Sequence, residues 1–307
     1  MNGPPQNFAI KARKRFLPPE MSGSDQVASR RVVLLTQPQP RVQSIASRLA
    51  RLGLEPLVVA FSSLETEAFA PAVENARSRI LQTMARSPDA PVPWDLVIFV
   101  SPGAVSAFQG QTGLVDWPDA ISVATVGPGT LEALETAGLP SSVRRIAPTR
   151  APWDASALLA SMREEGVKPR RVLVVCGATS RTDWSSELQS LGAALDVLTA
   201  YQSQPCAPDP SAIDRWQTLC ARQCAWVGVV TQAQTAEALN RVAQPWHPRE
   251  QQWMHSQAFL TIHPRIEQSL HQAGFGAVRL IPPGTLALDA ALSSDLWSNL
   301  PHFISPI

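Results

Sequence analysis

The sequence predicts an α/β protein of two similar doubly wound lobes, each built on a parallel sheet, and three observations carry that prediction. Short β-branched and apolar runs alternate with amphipathic stretches from Arg31 onward. The chain then repeats its own punctuation, in order, from Arg171. Its 307 residues exceed the ~150 that one domain usually takes, which points to two cores.

The elements follow from the pattern. Val32-Val33-Leu34-Leu35 is an unbroken apolar run, and a helical spacing through Ile45, Leu49 and Leu52 ends at Gly53 before Leu57-Val58-Val59. Strand, helix, strand is the reading. Further apolar runs stand at Leu96–Val100, Ile121–Val126, Val172–Val175, Trp226–Val230 and Phe259–Ile262. Runs without polar alternation fit strands buried on both faces, which is the signature of parallel sheets covered by helices. Ser87 to Pro93, with three prolines, reads as a loop, and Gln244 to Gln252 as an irregular stretch.

The repeat can be followed residue by residue. Arg31-Val32-Val33-Leu34-Leu35 answers to Arg171-Val172-Leu173-Val174-Val175, and the helix end at Leu52-Gly53 to Leu191-Gly192. Val97 to Ser101 answers to Val227 to Thr231. Val126-Gly127-Pro128, ahead of Gly138, answers to Ile262-His263-Pro264, ahead of Gly274. Ile146-Ala147-Pro148 precedes Asp154 as Ile281-Pro282-Pro283 precedes Asp289, and both aspartates are expected as N-caps of a last helix. A duplication is the simplest account.

A net charge of +1 with 17% charged residues gives no footprint for nucleic acid or an anionic membrane surface. No apolar run reaches the ~20 residues of a membrane helix. Cys176, Cys206, Cys220 and Cys224 form no CxxC pair and no secretory signal precedes them, so a reducing cytosol is expected. Residues 1–29 hold four prolines and the basic cluster Lys11, Arg13, Lys14 and Arg15; without apolar periodicity they are expected to be a disordered extension.

No metal site is expected. His247, His255, His263 and His271 recur every eight residues, but Pro248 and Pro264 break the segment and no thiol or carboxylate completes a shell. Cys220 and Cys224, one helical turn apart, read as packing groups. Val126-Gly127-Pro128-Gly129-Thr130 is a glycine-rich turn before a helix, able to hold an anion. As a dinucleotide fingerprint it fails, because Glu132 stands at the third glycine position. What remains is a rim of small hydroxyl residues where strands turn into helices: Thr36, Ser101, Thr130, Thr179 with Ser180, and Thr231. Each alone could be an N-cap, while together, at matching places in both halves, they read as facing a ligand.

Thr36-Gln37-Pro38, Phe99 to Val105, Val126 to Thr130, Cys176-Gly177 with Arg181, and Ala200-Tyr201 resemble, in that order, the sparse signatures of uroporphyrinogen-III synthase. The resemblance runs from Arg31 to Leu292, and Tyr201, the only tyrosine of the chain, falls where the family carries one. It implies a chain that starts lobe one (residues 30–61), crosses at 62–67, builds lobe two (68–200), crosses back at 201–207 and completes lobe one (208–307). The crossings would form a two-stranded ladder, with a cleft between the lobes. It further implies a monomer whose partner is a small molecule, hydroxymethylbilane, cyclised with inversion of ring D and loss of water, without metal or organic cofactor. Tyr201 would be the proton donor, and Thr36, Ser101, Gly103, Gly127, Thr130, Gly177, Arg181, Thr231 and Arg265 would bind substrate. Gln37, Gln232, His263 and Ile266 depart from the family pattern. A non-catalytic two-lobed binding protein for an anionic small molecule is the alternative.

Overall fold

The computed structural model describes residues 31–38, 41–83, 92–151, 153–180, 185–190, 192–293 and 295–297. The expected N-terminal extension and most of the proline-rich loop before Val92 lie outside them. The first half of the chain runs β1 (Val32–Leu35), α1 (Arg41–Arg51), β2 (Glu55–Val58), β3 (Ser62–Glu65), α2 (Ala70–Leu81), β4 (Leu96–Phe99), α3 (Pro102–Phe108), β5 (Ser122–Thr125), α4 (Pro128–Thr136), β6 (Arg145–Ile146) and α5 (Ala155–Glu164). The second runs β7 (Arg171–Gly177), α6 (Ser185–Ser190), β8 (Ala194–Pro205), α7 (Pro210–Ala221), β9 (Trp226–Val230), α8 (Thr235–Ala243), α9 (Pro248–Ser256), β10 (Ala258–Thr261), α10 (Pro264–Gln272), β11 (Val278–Leu280) and α11 (Thr285–Ser293).

Two sheets result. One has the order β11-β10-β9-β1-β2 and is parallel throughout. The other has the order β3-β8-β7-β4-β5-β6 and is parallel except for β3. Alternate residues of each central strand feed opposite faces, as a period of two requires. In the first sheet Val32 and Leu34 join Trp216, Trp226 and Phe259, while Val33 and Leu35 join Ile45, Leu49 and Leu260. In the second, Val97 and Phe99 pack with Phe108 and Trp117, and Leu96 and Ile98 with Leu158 and Met162.

The sequence repeat maps onto the sheets in an exchanged way. β1 and β2 share a sheet with β9, β10 and β11, and their counterparts β7 and β8 share one with β4, β5 and β6. Apart from β3, each repeat therefore gives two strands to one lobe and three to the other. The helices end where glycines were expected to stop them: Gly53, Gly138, Gly192 and Gly274 have φ of 73°, 85°, 89° and 92°.

The crossing segments pair as the expected two-stranded ladder; the corrections concern Gln244 to Gln252, where α9 begins at Pro248 in place of an irregular stretch, and the role of Asp289. β8 is one continuous strand of 12 residues, pairing in parallel with β7 as far as Tyr201 and antiparallel with β3 from Gln202 to Pro205. No turn residue interrupts it before Pro205, so lobe two's sheet itself carries the ladder. Asp289 is not an N-cap. α11 begins four residues earlier at Thr285, because Gly284 at φ 121° turns the chain directly after Pro283. Asp289 instead accepts from Arg48 Nε at 2.8 Å and Nη2 at 2.5 Å, which raises the Arg48 pKa. Its repeat partner Asp154 does cap α5, accepting from the Ala157 amide at 2.9 Å.

Candidate functional site

In doubly wound sheets the carboxyl edges of the strands carry the ligand-facing turns. Here a cavity of about 830 Å³ lies between the two sets of edges. Ser101, Gly127, Thr130, Trp153 and Asp154 line it from lobe two. Thr231, Ile262, His263, Ile266, Pro282 and Pro283 line it from lobe one. Its described lining holds neither Arg nor Lys.

Polar recognition therefore falls to hydroxyls and helix N-termini. Three helices aimed at this region are capped by their own side chains: α3 by Ser101, α5 by Asp154 and α10 by His263, whose Nδ1 accepts from the Arg265 amide at 3.1 Å. α4 differs. Its N-cap is Gly127, with no side-chain cap; Pro128 has no N–H and the Thr130 and Leu131 amides donate to the Gly127 carbonyl, which leaves the Gly129 amide at the positive end of the helix dipole for an anion. A Cβ at Gly127 would stand 3.2 Å from Trp153 Cβ, so the bare backbone is also what lets Trp153 close that wall.

Behind Ser101 stands Tyr201. The chain irregularity between β7 and β8, at Cys176 and Gly177, sets the Tyr201 ring against two glycines. A Cβ at Gly177 would lie 2.7 Å from Tyr201 Cζ, and one at Gly103 would lie 3.1 Å from it. Gly103 and Gly177 thus form a slot for the ring. Within it the Tyr201 hydroxyl meets Ser101 Oγ at 3.0 Å, and Ser101 Oγ also accepts from the Ala104 amide at 3.1 Å. The Gly177 turn is pinned by Ser180 Oγ, 3.0 Å from its amide, and by the Ala178 amide, 2.9 Å from the Tyr201 carbonyl.

The sequence-derived candidates divide accordingly. Ser101, Gly127, Thr130 and Thr231 converge on the cavity. Gly103, Gly177 and Tyr201 form the packed layer behind Ser101. Thr36 does not reach the cavity: it is 1% exposed, and its hydroxyl donates to the Val229 carbonyl at 2.9 Å, tying β1 to β9. Arg265 is exposed on α10 outside the lining, and Arg181 lies outside the described residues. Of the departures, Gln232 accepts from Ser62 at 2.8 Å, linking the β3 segment to lobe one, and Gln37 is buried.

Sequence reasoning missed Trp153, His263 and Glu132. Glu132 is on α4, and its carboxylate accepts from the Thr285 amide at 2.8 Å and from the Thr285 hydroxyl, capping α11 from across the cleft. The residue that spoils the dinucleotide fingerprint thus takes part in bridging the lobes. The histidine spacing also has its explanation: His247 and His263 cap successive helices, and His255 and His271 each sit eight residues further on, near a helix end.

The family model for uroporphyrinogen-III synthase HemD matches residues 43–282. The chain belongs to the uroporphyrinogen-III synthase family. A search of curated proteins gives no significant match. Among solved structures, a mutant uroporphyrinogen III synthase from the extremely thermophilic bacterium Thermus thermophilus is similar at 15% identity over 85% of this chain and 96% of that one, with a TM-score of 0.42. Uroporphyrinogen-III synthetase from Helicobacter pylori is similar at 12% identity over 86% and 99%, with a TM-score of 0.44. Membership of the uroporphyrinogen-III synthase family makes this chain an enzyme of tetrapyrrole synthesis, acting on a small molecule. Among the described residues no helix is long and apolar enough to cross a membrane.

Proposed function

We propose that the inter-lobe cavity binds hydroxymethylbilane and that the chain acts as a cyclising lyase, releasing water and uroporphyrinogen III. The observation that carries this reading is the cavity itself: about 830 Å³, within the range of ligand sites, walled by both lobes and served by the uncapped N-terminus of α4. Loss of hydroxide from an electron-rich pyrrole arm gives a stabilised cation, so the chief task is to fold the linear substrate until ring D attacks through its substituted carbon. Thr130, Thr231 and the Gly129 amide hold carboxylates, the apolar wall of Ile262, Ile266 and Trp153 receives pyrrole faces, and the Ser101–Tyr201 pair serves the departing hydroxyl.

The same proposal includes a monomeric cytosolic enzyme. It places lobe one at residues 30–61 plus 208–307 and lobe two at 68–200. The substrate class is tested by tryptophan fluorescence. Uroporphyrinogen III is expected to quench wild-type emission, with the largest component lost in Trp153→Phe. Quenching that survives unchanged in that variant argues against this cavity.

A further inference from the structure

The Ser101–Tyr201 contact admits two directions, and the surrounding groups select one. Ser101 Oγ already accepts from the Ala104 amide. If Ser101 donated to Tyr201, the phenol hydrogen would be left to water, since among the described residues Ser101 is its one hydrogen-bond partner. If Tyr201 donates, both lone pairs of Ser101 Oγ are filled and every group is satisfied. The Ser101 hydrogen then has one direction left. Ser101 lines the cavity and Tyr201 does not, so that hydrogen points at the ligand.

We infer that Ser101 is the residue that delivers the proton to the departing hydroxyl, and that Tyr201 is a positioning residue and proton reservoir acting through it. This rests on the synthase reading above. In the step, the C–O bond of the hydroxymethyl arm breaks and its electron pair leaves with the oxygen. That oxygen takes the Ser101 hydrogen and departs as water, and Ser101 takes the Tyr201 hydrogen. The arm carbon bonds to the substituted carbon of ring D, the bond from that carbon to the bridge from ring C breaks, and the bridge carbon re-bonds to the free α-carbon of ring D; the proton that this α-carbon loses as the pyrrole regains aromaticity returns through Ser101 to the phenolate. The net change is substrate to product plus one water. Gly103 and Gly177 both pack closely against the phenol end of the ring, which holds it in register with Ser101.

The test uses the single tyrosine. Protein labelled at tyrosine ¹³Cζ shows one resonance, which is expected to shift in Ser101→Ala and to return towards the wild-type position in Ser101→Thr. In an assay that couples hydroxymethylbilane generation to this protein and measures type III product, Ser101→Ala is expected to lower kcat about 10²-fold with KM unchanged. Tyr201→Phe should lower it about tenfold, the worth of one neutral hydrogen bond. The double variant should match Ser101→Ala. A double variant down about 10³-fold, the product of the two, shows Tyr201 reaching the substrate by itself and overturns the proposal. So does an unmoved resonance in Ser101→Ala, or wild-type kcat in that variant, each of which leaves the synthase reading standing. Wild-type protein that gives no type III isomer removes the synthase reading and this proposal together.

Discussion

Gly177→Ala tests the slot around Tyr201. The added methyl would sit 2.7 Å from Tyr201 Cζ, 2.9 Å from Cε2 and 3.0 Å from the hydroxyl oxygen, against a relaxed carbon contact of about 3.5–4.0 Å. The ring must therefore move by about 1 Å. Overpacking of this kind costs about 1–3 kcal/mol, and removing glycine's freedom in the unfolded chain returns about 0.4–1 kcal/mol. The net loss, about 1–2 kcal/mol, corresponds to a fall in Tm of roughly 2–6 °C for a chain of this size. A ring displaced by that much also breaks the 3.0 Å contact with Ser101, so kcat falls with stability. Thermal melts and the coupled assay are run beside two comparators. Gly276→Ala has open space at the methyl position and should be neutral to slightly stabilising. Gly228→Ala, whose methyl would lie 2.6 Å from the Phe259 ring, should lose stability without disturbing Tyr201. Gly177→Ala with wild-type Tm and kcat would refute the slot.

Three further outcomes follow from the same geometry. Glu132→Ala removes the carboxylate that caps α11 across the cleft; Tm should fall by about 2–4 °C for a cap worth ~1 kcal/mol, and small-angle scattering should show a larger radius of gyration, whereas an unchanged radius denies Glu132 a part in holding the lobes. Asp154→Ala should cost about 1 kcal/mol in urea unfolding, and Asp154→Asn should recover most of it. Burial lowers the His255 pKa, and its Nε2 pairs with Asn240 Oδ1 at 2.9 Å. The unfolded chain then takes up this proton at a higher pH than the folded one, so the contribution of His255 is present above about pH 6.5 and is lost as pH falls through the folded value. Urea midpoints between pH 5 and 8 should therefore drop on the acid side, and His255→Gln should flatten that drop; an unchanged slope would point to other groups.

Much of the fold is legible because parallel strands are written as unbroken apolar runs, and the glycines that end the helices occupy left-handed conformations that other residues resist. The repeat was readable for the same reason: buried strand positions and helix ends tolerate few substitutions of type. Its exchanged pairing was not, because strand partnership is set by which edges meet in space. The continuity of β8 was hidden because Tyr201 to Gln204 has neither the apolar run nor the turn residues that mark a boundary. Asp289 was misread because Gly284 shortens the turn, a backbone event with no trace in the spacing of Pro283 and Asp289.

At the site, the hydroxyl rim was legible as residue types at strand ends, and Ser101, Thr130 and Thr231 did reach the cavity. Thr36 has the same local sequence signature, yet its position at the end of a central strand puts it under the sheet edge, where Val229 takes its hydroxyl. Gly103 and Gly177 look like ligand-approach glycines and act on Tyr201 instead, because what a missing Cβ admits depends on the neighbour that folding brings. Glu132 and Trp153 carried no local signal, since their partners Thr285 and Gly127 come from elsewhere in the chain.

The most direct test generates hydroxymethylbilane in the presence of this protein, oxidises the products and separates the uroporphyrin isomers. Spontaneous closure gives type I. The account predicts predominantly type III product, formed by wild type and diminished in Ser101→Ala; type I alone, from protein shown to be folded, would contradict it.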